Sequence, residues 1–201
     1  AEAIALDGAQ RAWRNIRTAT DNGADRAARW EMMMAALEGG LTFQKGLGAV
    51  HSLSHAAGAL RAPTLHHGML NGVFLPHILR FNADHVGSKY QRLRELFGLA
   101  PDADLADAVS ALVKSLGLPV TLGAMGFEAR HIPETVTRAL ADHSNATTPR
   151  RASAEEFEAL LRAALARFCS PLVQGRGRFI ERLRARLRVA CPPVVRGQRE
   201  A

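Results

Sequence analysis

Four histidines, His51, His55, His66 and His67, are concentrated in one short segment of the 201-residue chain. His51 and His55 stand four residues apart, which puts both imidazoles on one face of a helix, about 6 Å from each other. His66 and His67 follow across a turn, beside Gly68. Two helices meeting at such a bend could aim three imidazoles at one point, and imidazole is a good ligand for Fe, Zn, Ni or Cu. Spacing alone leaves two readings open, because a histidine at helical spacing also serves as a hydrogen-bonded core residue. Two histidines do not complete a metal site either, since first-row metals in proteins usually take three or four protein ligands. Asp84 and His85 are the nearest further donors, and they form no HExxH or two-His-one-carboxylate pattern.

The elements that must position these side chains read as helices throughout. Aromatic residues make up only 5% of the chain while Ala, Leu and Arg abound, a mixture that favours helix because unbranched side chains lose little rotamer freedom there. The chain opens on Ala1, Glu2, Ala3 and Ile4 with no residue able to cap a first turn, so it reads as cut into rather than begun. Leu6, Ala9, Trp13 and Ile16 recur at helical spacing until Asp21, Asn22 and Gly23 close the element. Trp30, Met33, Met34, Leu37 and Leu41 form a second stripe, with the methionines expected in the core. From Gly46 to Ala59 small residues surround His51 and His55, so this helix can approach its neighbours closely. Leu70, Val73, Phe74, His77, Ile78 and Phe81 make another apolar face, in which Pro76 predicts a kink. Further helices are predicted near Val86–Phe97, Leu105–Leu116, Pro133–Asp142 and Ser153–Phe168, the last with Ser153 and Glu156 as a capping box. No stretch alternates with period two, and the fold class is all-α, a multi-helix domain.

Charge separates a body from a tail. Residues 1–149 hold 14 Lys and Arg against 14 Asp and Glu, while residues 167–201 hold nine Arg against Glu181 and Glu200 and carry the whole +7. A balanced body argues against nucleic acid as its partner. In the tail, Phe179, Leu183, Leu187 and Ala190 make a narrow apolar stripe flanked by Arg178, Arg182, Arg184, Arg186 and Arg188. A basic amphipathic helix touching RNA or anionic lipid is one reading; a disordered or accidental extension is the favoured one. Cys169 and Cys191 also lie there, in no Cys-x-x-Cys motif, and read as free thiols in a reducing compartment. Nothing reads as a signal peptide or membrane span, so a cytoplasmic location is expected.

The segment from Gly46 to Asn82 resembles the signature of the iron-containing (group III) alcohol dehydrogenases. That signature is a Gly-x-x-His-x-x-x-His-x-x-Gly helix, a His-Gly turn and an Asn-x-x-x-Leu-Pro-His helix. The corresponding residues are Gly48, His51, His55 and Gly58, then His67 and Gly68, then Asn71, Leu75, Pro76, His77, Arg80, Phe81 and Asn82. The likeness extends to Leu116-Gly117-Leu118-Pro119 and to the stretch from Asp142 to Arg150. It implies that residues 1–166 are the helical, dehydroquinate-synthase-like metal-binding domain of that family, with 167–201 as a basic extension. It implies that His51 and His67 are metal ligands, His66 being the reserve, and that His55 lines the cleft near substrate and nicotinamide. The metal would be Fe2+, with Zn2+ as the alternative, and the reaction an NAD(P)-linked oxidation of a small alcohol to an aldehyde or ketone.

Two departures qualify the resemblance. The connection between the ligand histidines is longer than in the commonest members and carries two histidines. The family's other two ligands, an Asp and a His one turn apart, belong to a helix preceding the segment with which this chain opens. There is also no Gly-rich strand-turn-helix for a pyrophosphate; Gly175 and Gly177 form only a Gly-x-Gly. The chain is therefore expected to be the helical half of such an enzyme, incomplete and inactive by itself, with a nucleotide-binding domain and a second copy of the chain among its partners. The rival expectation is a noncatalytic remnant or interaction module derived from such an enzyme.

Overall fold

The computed structural model describes residues 1–165, and the predicted features of the tail, including Cys169, Cys191, the Arg-flanked stripe and the boundary after residue 166, lie outside them. Among the described residues there are eight α-helices and no strand: α1 (Glu2–Asp21), α2 (Arg26–Thr42), α3 (Ala49–Gly58), α4 (His67–Asn82), α5 (Lys89–Phe97), α6 (Leu105–Ser115), α7 (Ile132–Ala141) and α8 (Ala154–Leu165). The boundaries follow local chemistry. Asp25 caps α2 by accepting from the Ala28 N–H at 2.9 Å, and Asp104 caps α6 through the N–H groups of Ala106 and Asp107. The expected capping box starts α8: the Ser153 hydroxyl accepts from the Glu156 N–H, and the Glu156 carboxylate accepts from the Ser153 N–H. Helix α4 runs through Pro76 as one element, and Pro133 occupies the second rather than the first position of α7.

The core lies among α3, α4, α6, α7 and α8, where Leu53, Leu70, Phe74, Phe157 and Leu161 are fully buried. The small residues of α3 do what their size allows: Ser52, Leu53, Ala56 and Ala57 form a buried back, packed between α4 and α7. The other face of α3 is thereby left to carry the histidines.

Helices α1 and α2 form a hairpin outside this core. Gly8 brings them close, since a Cβ there would stand 3.1 Å from the Glu38 Cβ and 3.3 Å from the Ala35 carbonyl oxygen. Arg11 bridges the pair by its contacts with Asp7 and Glu31, and Trp13 stacks on Phe97 at 4.4 Å between centroids, tying the hairpin to α5. The stripe on α2 departs from expectation. Trp30, Met33, Leu37 and Leu41 are 60%, 65%, 55% and 61% exposed, and only Ala28 of this helix is buried. The periodicity was that of a face needing cover, but α1 packs on the other side, where the Arg11 contacts lie. No segment of the described residues covers the stripe, and it does not belong to their core.

Candidate metal centre

The sharp entry into α3 depends on glycine. Gly46 has φ +102 and Gly48, which precedes the first turn, has φ +74, conformations that side chains with a Cβ rarely adopt. A Cβ on Gly46 would also fall 2.2 Å from the Thr147 side chain, so the backbone here lies hard against the 3-10 turn His143–Thr147. This approach sets α3 beside the end of α7.

On the outward face of α3, the ring centroids of His51 and His55 are 5.6 Å apart. Helix α4 begins with His67, whose ring lies 5.4 Å from His51 and 5.3 Å from His55, so three imidazoles make a nearly equilateral cluster. The neighbouring His66 ring turns back over Gly68, where a Cβ would meet it at 3.3 Å. One turn into α4, the Asn71 amide donates to His67 Nε2 at 3.2 Å. Phe43, at the end of the exposed α2 stripe, meets the His51 ring edge-on at 6.3 Å.

Two residues that spacing had not assigned complete the neighbourhood. Asp142 Oδ2 stands 3.0 Å from His55 Nδ1, although 87 residues separate them in sequence. His143 stacks over His55 at 6.2 Å and remains largely exposed. No local signal could have found this pair, because neither shares an element with the other histidines. His77, by contrast, is buried on another face of α4, beside Gly72, Val73 and Lys114. Asp84 and His85 sit in a 3-10 turn past the C-terminus of α4, roughly 24 Å from His67 by helical rise. They are too far away to join the cluster.

The electrostatics favour neutral imidazoles. Burial, and then the neighbouring His67 and His55, hold the His51 pKa below the ordinary imidazole value. Burial and the nearby His55 and His66 do the same for His67. Burial alone would raise the Asp142 carboxyl, but the Ser144 N–H and the His55 imidazole keep it below its usual value, so it is ionised at neutral pH. Neutral imidazole is the form that ligates a cation, and this donor set fits one chemically. It is not complete, however: among the described residues no group of three or more His, Cys, Asp or Glu side chains is disposed to hold a metal ion.

The chain is similar to known proteins over nearly all of its described length. Residues 1–165 match the family model described as Fe-containing alcohol dehydrogenase family, C-terminal. A 4-hydroxybutyrate dehydrogenase of Cupriavidus necator is 44% identical over 172 residues, covering 82% of this chain and 45% of that protein. The lactaldehyde reductase of Escherichia coli (strain K12) is 32% identical, covering 70% of this chain and 38% of that protein. Among solved structures, a 1,3-propanediol oxidoreductase superposes with a TM-score of 0.76 at 31% identity, over 81% of this chain and 44% of that one. The chain thus spans less than half the length of these relatives. With His51, His55 and His67 of the predicted motif brought into one cluster and the match running over residues 1–165, the chain belongs to the iron-containing alcohol dehydrogenase family and carries its C-terminal, helical part.

Proposed function

We propose that this chain supplies one wall of the cleft, and two metal ligands, of a metal-dependent, NAD(P)-linked oxidoreductase acting on small alcohols and aldehydes. The observation that carries the reading is the convergence of His51, His55 and His67, with His51 and His67 held toward the neutral form. In this reading residues 1–166 are the helical domain, His51 and His67 are the ligands contributed from this side, and the remaining ligands and the nucleotide-binding surface come from the part of the family's fold that this chain does not span. Bound there, Fe2+ or Zn2+ would supply a Lewis acid, and NAD(P) a hydride acceptor.

The chain's own residues have distinct tasks. His51 and His67 present uncharged nitrogens from two helices whose backbones are fixed by core packing. His55, on the same face as His51 but tied at Nδ1 to Asp142, keeps Nε2 for a polar contact with the substrate hydroxyl, whose proton it accepts on oxidation and returns on reduction. The alcohols and aldehydes named for the relatives are small, which is the class proposed here. A homodimer and a cytoplasmic location belong to the same proposal. No helix of the described residues is long and apolar enough to cross a membrane. The second reading, a noncatalytic association module, is favoured by the exposed apolar face of α2.

The test is reconstitution: the chain is fused behind the N-terminal portion of the 4-hydroxybutyrate dehydrogenase relative, and metal content and alcohol oxidation are measured. We expect metal-dependent turnover. His51→Ala with His67→Ala should abolish both metal and activity, whereas His55→Ala should retain metal and lose turnover. A double variant that holds iron as well as the unmodified fusion sinks the assignment, and a metal-loaded fusion with no dehydrogenase activity supports the second reading.

A further inference from the structure

We infer that Asp142 is the positioning residue for His55, accepting the Nδ1–H so that the imidazole is held in the tautomer whose Nε2 is unprotonated. The inference rests on the reading of His55 as the polar group beside the substrate oxygen, but its geometry stands independently of any metal.

Both carboxylate oxygens of Asp142 have separate employment. Asp142 ends α7 in an extended conformation and begins the 3-10 turn His143–Thr147, with Oδ1 accepting from the Ser144 N–H at 2.8 Å. That contact sets the side-chain rotamer and leaves Oδ2 to face His55 Nδ1 at 3.0 Å. The turn is pinned from its other end, since Thr147 packs against Gly46 at the entry to α3. The carboxylate is therefore fixed relative to the helix that bears His55, and its side chain is only 15% exposed. An ionised carboxylate can only accept, so the nitrogen it faces must carry the proton. In a neutral imidazole the other nitrogen is then the acceptor. A hydrogen bond at one ring nitrogen commonly decides what the other can do.

The experiment uses the 201-residue chain without metal, at about pH 8.5, two units above the ordinary imidazole pKa. Long-range 1H–15N correlation spectra report which nitrogen of each histidine is protonated. We expect the His55 Nδ1 protonated and its Nε2 with the shift of an unprotonated nitrogen. Asp142→Asn is the discriminating variant. An Asn caps the turn as well as an Asp does, so its oxygen stays on the Ser144 N–H and its NH2 takes the place of Oδ2. An amide NH2 can only donate, and the His55 tautomer should invert, with Nε2 now protonated. A side chain that merely held the turn would leave the tautomer unchanged. Asp142→Ala, which removes both contacts, should also abolish the exclusive Nδ1–H form. Slow exchange of the Ser144 amide in Asp142→Asn reports that the turn is intact; should that variant not fold, the unmodified chain and Asp142→Ala decide. A wild-type His55 protonated at Nε2, or a variant with an intact turn in which Nδ1 stays protonated, overturns the inference. Retention of metal by the His51→Ala, His67→Ala fusion, which sinks the ligand assignment, would leave this result untouched, so failure of the two readings can be told apart.

Discussion

Acidification should unfold this domain partly through His77, a residue of the family motif that lies outside the histidine cluster. His77 is 5% exposed, and burial, followed by the charge of Arg80, lowers its pKa from 6.5 to about 4. The folded protein thus keeps the ring neutral over a range in which the unfolded chain protonates it. Where the unfolded state binds more protons, stability rises with pH, so stability is full above pH 6.5, declines on acidification and levels off near pH 4. One pKa unit corresponds to about 1.36 kcal/mol. At about pH 5, 1.5 units below the unfolded value, His77 alone therefore removes about 2 kcal/mol, against a total of about 5–15 kcal/mol for a typical domain. The assay is urea unfolding, followed by circular dichroism, of the wild type and His77→Leu at about pH 7 and about pH 5. Other groups that titrate in this range, His51 and His67 among them, are common to both proteins and cancel in the double difference. The wild type should lose about 2 kcal/mol more than the variant. Equal losses, or an NMR titration placing His77 near 6.5, would refute the burial argument.

Other expectations follow from particular contacts. Gly46→Ala combines a positive φ with a clash on Thr147 and should cost about 1–3 kcal/mol; chemical denaturation measures the cost, and an unchanged midpoint would contradict the close approach. The same variant should weaken the hydrogen bond between Asp142 and His55, seen as faster exchange of the Nδ1 proton. Leu37→Lys with Leu41→Lys alters side chains that are 55% and 61% exposed, so stability should change by no more than about 0.5 kcal/mol at each site. Self-association in sedimentation velocity should fall. A loss of several kcal/mol would return the stripe to the core. Ser153→Ala removes one half of the α8 capping box and should cost about 1 kcal/mol by thermal unfolding.

What could be read directly from the sequence is what neighbours a few residues apart decide. The all-α class, the eight helices to within a few residues of those ends that lie among the described residues, the Ser153 capping box and the shared face of His51 and His55 all follow from helical period and capping chemistry, which act within about a turn. The motif from Gly48 to Asn82 was specific enough to indicate the family, because its glycines, histidines and proline each answer a different backbone or chemical demand. The tertiary structure decided everything that depends on distant segments meeting. The ring beside His51 and His55 is that of His67, since α4 starts there while His66 folds over Gly68. Asp142 reaches His55 across 87 residues only because Gly46 lets α3 lie against the end of α7. The α2 stripe shows the limit most clearly: periodicity says that a face is apolar, but only the packing of the remaining helices determines whether anything covers it.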